Sequence, residues 1–260
     1  MTGDRERKKT FNTVAALYDE VRPGYPEPLV EDVIGLSGIG EGGRILEVGC
    51  GPGKATLPFA RRGYEMLCLE LGDNLARLAA ANLAPYPHVT VENVAFEAWP
   101  LQANSFDLVI SAEAWHWIAA GVGYARAAVA LKEDGALALF WNQQPVPDTP
   151  FFRALVALYA EKAPEPILVG QPDPDGIVRE TIEAIEGSGY FGDLAVRQYW
   201  WTAHYTAQQY IKLLQTYSIY HTVPQEPLQE LFAAIRALIE EFGGVVERPY
   251  RAVLYVAQRR

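Results

Sequence analysis

The stretch Ile45-Leu-Glu-Val-Gly-Cys-Gly-Pro-Gly-Lys-Ala-Thr56 runs from an apolar segment through three alternate glycines into a helical pattern. Arg44–Val48 reads as a strand, and residues 54–62 read as a helix closed by Gly63. With no β-carbon at Gly49, Gly51 or Gly53, the chain can turn tightly and approach a ligand closely, and a helix N-terminus faces that ligand. A nucleoside triphosphate loop requires Gly-x-x-x-x-Gly-Lys-Ser/Thr. Here Ala55 follows Gly53-Lys54, and Val48 stands five places before Gly53, so that motif fails twice. The dinucleotide fingerprint wants glycine where Lys54 stands, which weakens it without removing it.

Outward from this turn, Arg44–Val48, Glu65–Leu69, 89–93, 106–110 and 136–141 read as strands, the last three apolar enough to be buried on both faces. A helix begins after Asp73, a natural N-cap, and runs to about Asn82. Another spans 123–131 and ends at the Asp134-Gly135 turn. Strand and helix alternate five times, which predicts a parallel sheet with helices on both faces. In the second half, Thr149-Pro150 opens a helix over 151–162, and Asp175 caps one that runs through Glu186 and is closed by Gly187. Two further strands fall at 194–201 and 251–258, with helical patterns between them from near Thr206 and Pro227. Leu228, Leu231, Phe232, Ile235, Leu238, Ile239 and Phe242 repeat at helical spacing and read as a core-facing stripe.

Glu47 stands just before the first glycine, and Glu70 ends the second strand, 17 residues past Gly53. A carboxylate at that strand end can accept hydrogen bonds from both hydroxyls of a ribose, although Glu70 taken alone reads as an ordinary surface acid. A ligand without pyrophosphate needs only close passage of the loop, which points to S-adenosylmethionine. Together with Asn104-Ser-Phe-Asp-Leu-Val-Ile-Ser-Ala112, the turn and Glu70 make the chain resemble the class I S-adenosylmethionine-dependent methyltransferases over about 44–142. Phe11-Asn-Thr-Val-Ala-Ala-Leu-Tyr-Asp-Glu-Val-Arg-Pro-Gly-Tyr-Pro26 and Ala114-Trp-His-Trp117 are similar to the small-molecule methyltransferases that include trans-aconitate methyltransferase. Asn12 departs from the acid common there, and the chain from Gln143 onward matches only loosely.

The resemblance implies an α/β fold: a Rossmann-like, seven-stranded, mostly parallel doubly wound sheet with an added helical lid. It implies a helical segment over 1–36 that covers the cofactor, and a cofactor-binding core over 37–142. Residues 143–260 would complete the sheet and supply the lid, chiefly over 202–249. For the cofactor, with S-adenosylhomocysteine as product, it implies Tyr18, Arg22, Glu47, Gly49, Cys50, Gly51, Gly53, Glu70, Leu71, Ala95, Phe96, Ser111, Ala112 and Glu113. Ala95 and Phe96 would border the adenine, and core packing is the competing reading of both. For the acceptor it implies Tyr25, Trp115, His116, Trp117, Asn142, Thr216 and Ser218, with His116 the catalytic candidate.

Methyl transfer from a sulfonium asks the protein mainly for proximity, alignment and a dry cavity. A carboxylate acceptor needs only orientation, whereas an alcohol or phenol would benefit from a base, which His116 could supply. The chain of 260 residues carries 32 acids against 22 bases, a formal charge of −10 that would repel a nucleic acid on average. Ser111-Ala-Glu-Ala114 stands where a base-amino methyltransferase has Asn/Asp-Pro-Pro-aromatic, and no Pro-Cys dipeptide exists. A nucleic-acid methyltransferase and a non-catalytic cofactor-binding protein remain the alternatives. Cys50 and Cys68 lack metal-ligand or disulfide-framework spacing, so no metal is expected, and no apolar run is long enough for a membrane span. The expectation is a cytoplasmic monomer or homodimer acting on a small molecule.

Overall fold

Ile45 and Leu46 are successive residues of a strand, so they point to opposite faces, yet both are fully buried. Only a strand covered on both sides has that pattern, and it belongs to the interior of a parallel sheet. In the computed structural model, which describes residues 15–119, 121–165, 167, 169–170 and 173–260, this strand is β1 (Arg44–Val48) of a seven-stranded sheet. The other strands are β2 (Glu65–Leu69), β3 (Val89–Glu92), β4 (Phe106–Ala112), β5 (Leu131–Gln143), β6 (Phe191–Thr206) and β7 (Val245–Arg259). Their order is β3-β2-β1-β4-β5-β7-β6, and β1 pairs in parallel with both β2 and β4. The β2–β3 and β4–β5 pairs are parallel too. The order reverses direction between β1 and β4, so the loops leaving those two strands flank the crevice where open α/β sheets hold ligands.

The helices are α1 (Ala15–Val21), α2 (Glu27–Ser37), α3 (Thr56–Ala60), α4 (Asp73–Leu83), α5 (Gly123–Ala130), α6 (Pro150–Lys162), α7 (Pro174–Gly187), α8 (Ala207–Gln215) and α9 (Gln225–Glu241). The chain divides into two compact units. One comprises residues 1–23, 143–174 and 200–251, and the other 24–142, 175–199 and 252–260. The second unit holds β1 to β5 around a core that includes Leu46, Leu67, Phe106, Val109, Leu137 and Tyr255. The first unit has its own core, in which Leu228, Leu231, Phe232, Ile235 and Ile239 of α9 are buried with Phe152, Leu155 and Tyr159 of α6 and Tyr210, Leu213 and Leu214 of α8. Thr149 caps α6 by accepting from the Phe152 N–H. Thr206 and Gln209 close a reciprocal capping box on α8.

Several boundaries differ from those read in the sequence. The helix predicted over 54–62 shrinks to five residues because turns continue through Ala55. β5 starts at Leu131, where a helix end and turn were expected. Leu131 pairs with Phe106 and Ala136 with Leu108, so the turn-like Lys132-Glu133-Asp134-Gly135 is a bulge within the strand. Asp73 and Asp175 are not N-caps: Gly72 caps α4, and both acids lie in the first turns, where the helix dipole favours them. β6 and β7 run well past the predicted 194–201 and 251–258. Phe242, predicted on the buried stripe, is the exposed cap residue beyond α9 and rests its ring edge-on against Phe151.

Candidate functional site

The turn after β1 is held by its backbone. The N–H groups of Gly49 and Cys50 both donate to the Leu69 carbonyl, at 2.8 and 3.1 Å, which pins the loop to the end of β2. Gly49, Gly51 and Gly53 all take positive φ (74°, 55° and 94°), the region that favours glycine. Their surroundings differ. A β-carbon on Gly49 would stand 2.4 Å from that of Ala114 in the loop after β4, and one on Gly53 would press on Leu83. One on Gly51 would meet nothing within 4 Å, so the open side of the turn lies there.

Two carboxylates back this turn. Glu47 is fully buried: Oε2 accepts from the Thr56 hydroxyl at 2.6 Å and lies 3.8 Å from the Cys68 thiol. Its Oε1 has no hydrogen-bond partner among the described residues. Burial, only partly offset by those hydrogen bonds, pushes the Glu47 carboxyl up to about 7. Glu70 at the end of β2 is nearly buried and accepts from the Gly51 N–H (Oε2, 2.9 Å) and the Gly72 N–H (Oε1, 2.8 Å). Burial raises its pKa against the pull of those backbone donors. Each carboxylate oxygen has two acceptor sites, so both retain capacity for a hydroxyl donor. Next to it, Leu71 is half exposed, and the Asn93 side chain donates to the carbonyls of Glu70 and Leu71. Cys50 and Cys68 are both buried free thiols. A hydrogen bond with Cys68, then burial, holds the Cys50 thiol well above its ordinary range, which keeps it protonated and unreactive.

The second wall is the loop leaving β4. Ser111 is buried and donates to the Val48 carbonyl at 2.8 Å, tying β4 to the start of the glycine turn. Ala112 is half-buried beside it. Glu113 has φ 58°, uncommon for a residue with a side chain, and its Oε1 accepts the Asn142 N–H at 2.6 Å. The Asn142 side chain in turn donates to the Gly24 carbonyl, and Tyr25 sets its ring edge-on to Phe140, 4.8 Å away. The short 3₁₀ turn Trp115–Trp117 separates its three rings. Trp115 is buried against Phe96 and Tyr124, whereas His116 is exposed. His116 Nδ1 accepts from Trp141 Nε1 at 3.2 Å, and its ring lies 4.8 Å from that of Trp117. Phe96 also turns its ring into the core, while Ala95 before it is half-buried.

The remaining expected residues lie in the other unit. The Arg22 Nε donates to Thr216 Oγ1 at 2.7 Å and its Nη2 to the Thr216 carbonyl, while its guanidinium lies 4.0 Å from the Tyr217 ring and 5.0 Å from that of Tyr18. Thr216 is buried and its hydroxyl also donates to Leu213, so that hydroxyl serves the fold. Ser218 begins a short 3₁₀ turn and is half-buried. Asn12, with the rest of residues 1–14 of the segment expected over the cofactor, lies outside the described residues. The Trp141–His116 bond had no sequence signal, since 25 residues separate the partners. Among the described residues no group of three or more His, Cys, Asp or Glu is placed to hold a metal ion, and no helix is long and apolar enough to cross a membrane.

Residues 45–135, which span both loops, match a protein family described as a methyltransferase domain. Those residues form a methyltransferase domain. An uncharacterized methyltransferase of Mycobacterium bovis is 28% identical over 138 residues, 53% of this chain and 54% of that one. A malonyl-[acyl-carrier protein] O-methyltransferase of Geobacter sulfurreducens is 32% identical over 148 residues, 54% of this chain and 55% of that one. The chain thus spans about half the length of both curated relatives. A phosphoethanolamine N-methyltransferase of Haemonchus contortus, solved with phosphomonomethylethanolamine and S-adenosylhomocysteine, has a TM-score of 0.55 at 16% identity, covering 95% of this chain and 57% of that one. That likeness concerns the fold alone. S-adenosylmethionine is the methyl donor expected of such a domain, and the residues present suit it. The open side of Gly51 admits close approach, Glu70 presents two hydrogen-bonding oxygens beside it, and half-exposed Leu71 offers an apolar surface for a planar base.

Proposed function

We propose that the protein transfers a methyl group from S-adenosylmethionine to an oxygen, carboxylate or hydroxyl, of a small molecule. When bound, the cofactor supplies an electrophilic methyl group. The observation that carries the reading is the juxtaposition of the open Gly51 turn with the Glu70 carboxylate. Glu70 is positioned by two backbone N–H groups and keeps acceptor capacity for the ribose hydroxyls. Gly49, Gly51 and Gly53 let the backbone pass along the ligand. Glu47 stiffens the turn through Thr56, and Ser111 to Glu113 bring the β4 loop up to it. Tyr25, His116, Trp117 and Asn142 are proposed to orient the acceptor. Trp115, buried against Phe96, is proposed to support the acceptor side, and Ala95 and Phe96 to border the adenine.

An oxygen acceptor is supported by His116, an exposed polar ring in the loop that adjoins the glycine turn, and by the oxygen specificity named for the Geobacter relative. The net charge of −10 favours a small acceptor over a polyanion. The test is incubation with methyl-labelled S-adenosylmethionine and panels of small carboxylic acids, phenols, alcohols and amines, with RNA and DNA in parallel. Label should enter small oxygen acceptors, and mild alkali should release it as methanol wherever the product is an ester. Label found only on nitrogen or on nucleic acid would overturn the reading. Tight cofactor binding without turnover on any acceptor would favour a non-catalytic role.

A further inference from the structure

We propose that Trp141 is a positioning residue that fixes His116 with its proton on Nε2, so that His116 serves the acceptor oxygen as a hydrogen-bond donor and not as a base. The proposal rests on the methyl-transfer reading above and deepens it by assigning the histidine's part. An indole N–H only donates, so the atom that receives it must carry a lone pair. Trp141 Nε1 donates to His116 Nδ1 at 3.2 Å. A neutral imidazole has one N–H and one lone pair. With the lone pair on Nδ1 engaged, the proton resides on Nε2.

Both partners are held by separate parts of the second unit. Trp141 lies near the end of β5 with its ring edge-on to that of the buried Tyr255, 5.8 Å away. His116 lies in the 3₁₀ turn, whose backbone closes through Trp117 N–H to the Ala114 carbonyl at 2.9 Å. The tautomer is thus set by a hydrogen bond between two elements, β5 and the 3₁₀ turn.

The consequence is chemical. A base must offer an unprotonated nitrogen to the hydroxyl it activates, and in this arrangement the only lone pair points at Trp141. Nε2 carries the proton and can only donate, which suits an oxygen that is already ionised when it binds. Such an oxygen forms its new bond to the methyl carbon from its own lone pair and has no proton to release, so the reaction balances without a base. Acceptors whose hydroxyl must be deprotonated within the site are disfavoured.

Two measurements test this, and the first needs no substrate. Long-range ¹H–¹⁵N correlation on labelled protein should show His116 with a pyridine-like Nδ1 and a protonated Nε2, and Trp141→Phe should shift it toward a mixture of tautomers. A proton on Nδ1 in the wild type, or a spectrum unchanged by Trp141→Phe, overturns the proposal. The second is turnover of His116→Gln, whose amide N–H reaches the place of Nε2, against His116→Leu. With a donor role, His116→Gln should stay within about tenfold of wild type while His116→Leu falls by roughly 10²-fold or more, the range for losing a charged hydrogen-bond partner or a proton-transfer group. Equal loss in both variants would make His116 a base. Absence of oxygen methylation in the wild type would instead overturn the functional reading and leave the tautomer to be decided by the spectrum.

Discussion

Glu47 is buried without a counter-charge among the described residues, and its carboxyl is pushed up to about 7 from 4.5. The folded state therefore holds a proton that the unfolded chain releases above about pH 4.5. Stability from this group is lost as pH rises from about 4.5 to about 7 and levels off beyond. The effect is on the order of 3 kcal/mol at most, from about 1.4 kcal/mol per pKa unit. Glu47→Gln keeps an oxygen for the Thr56 hydroxyl and removes the ionisation. Chemical denaturation across pH 4 to 8 should accordingly show a flatter stability profile for the variant and a higher stability than wild type at pH 8. A profile that falls with pH as steeply as the wild type would place the titrating group elsewhere.

At the scale of the glycine turn, three residues alike in sequence are unlike in surroundings. Gly49→Ala forces a β-carbon to 2.4 Å from that of Ala114 at φ 74°, combining a steric clash with left-handed strain. It should cost roughly 2–4 kcal/mol, seen as a clearly lowered melting temperature. Gly51→Ala places its methyl in open space at φ 55°, so only the backbone strain of about 1 kcal/mol applies to folding. That methyl occupies the side from which a ligand approaches. The variant should stay folded and lose most of its affinity for S-adenosylhomocysteine, and wild-type affinity would mean that the ligand lies elsewhere. The helix after this turn shows the same dependence on surroundings: Gly51 to Ala55 are consumed by turns before α3 can start.

Across the whole molecule, the parts legible in the sequence are those in which local chemistry and global packing agree. Doubly buried parallel strands read as apolar runs, glycines that need positive φ stand at fixed offsets, and Thr149 and Thr206 announce the helices they cap. Where a segment carries one local signal and a different global role, the reading fails. Lys132 to Gly135 looks like a turn because it bulges out of β5, and Phe242 continues a helical spacing beyond the end of its helix. The contacts that arrange side chains are silent for a simpler reason. Trp141 with His116 and Arg22 with Thr216 are far apart in the chain, and no spacing rule links them. The ring directions of Trp115 and Phe96 likewise follow from packing on Tyr124 and on each other, which only the folded core defines.

The most direct test of the cofactor assignment is calorimetric titration of the full chain with S-adenosylhomocysteine, wild type against Glu70→Ala. The wild type should bind at a single site, and the variant should bind more weakly by roughly 1.5–3 kcal/mol, the range for losing a charged hydrogen-bond partner. No binding by the wild type, or equal affinity in the two proteins, would contradict the assignment of Glu70 and the glycine turn to the nucleoside.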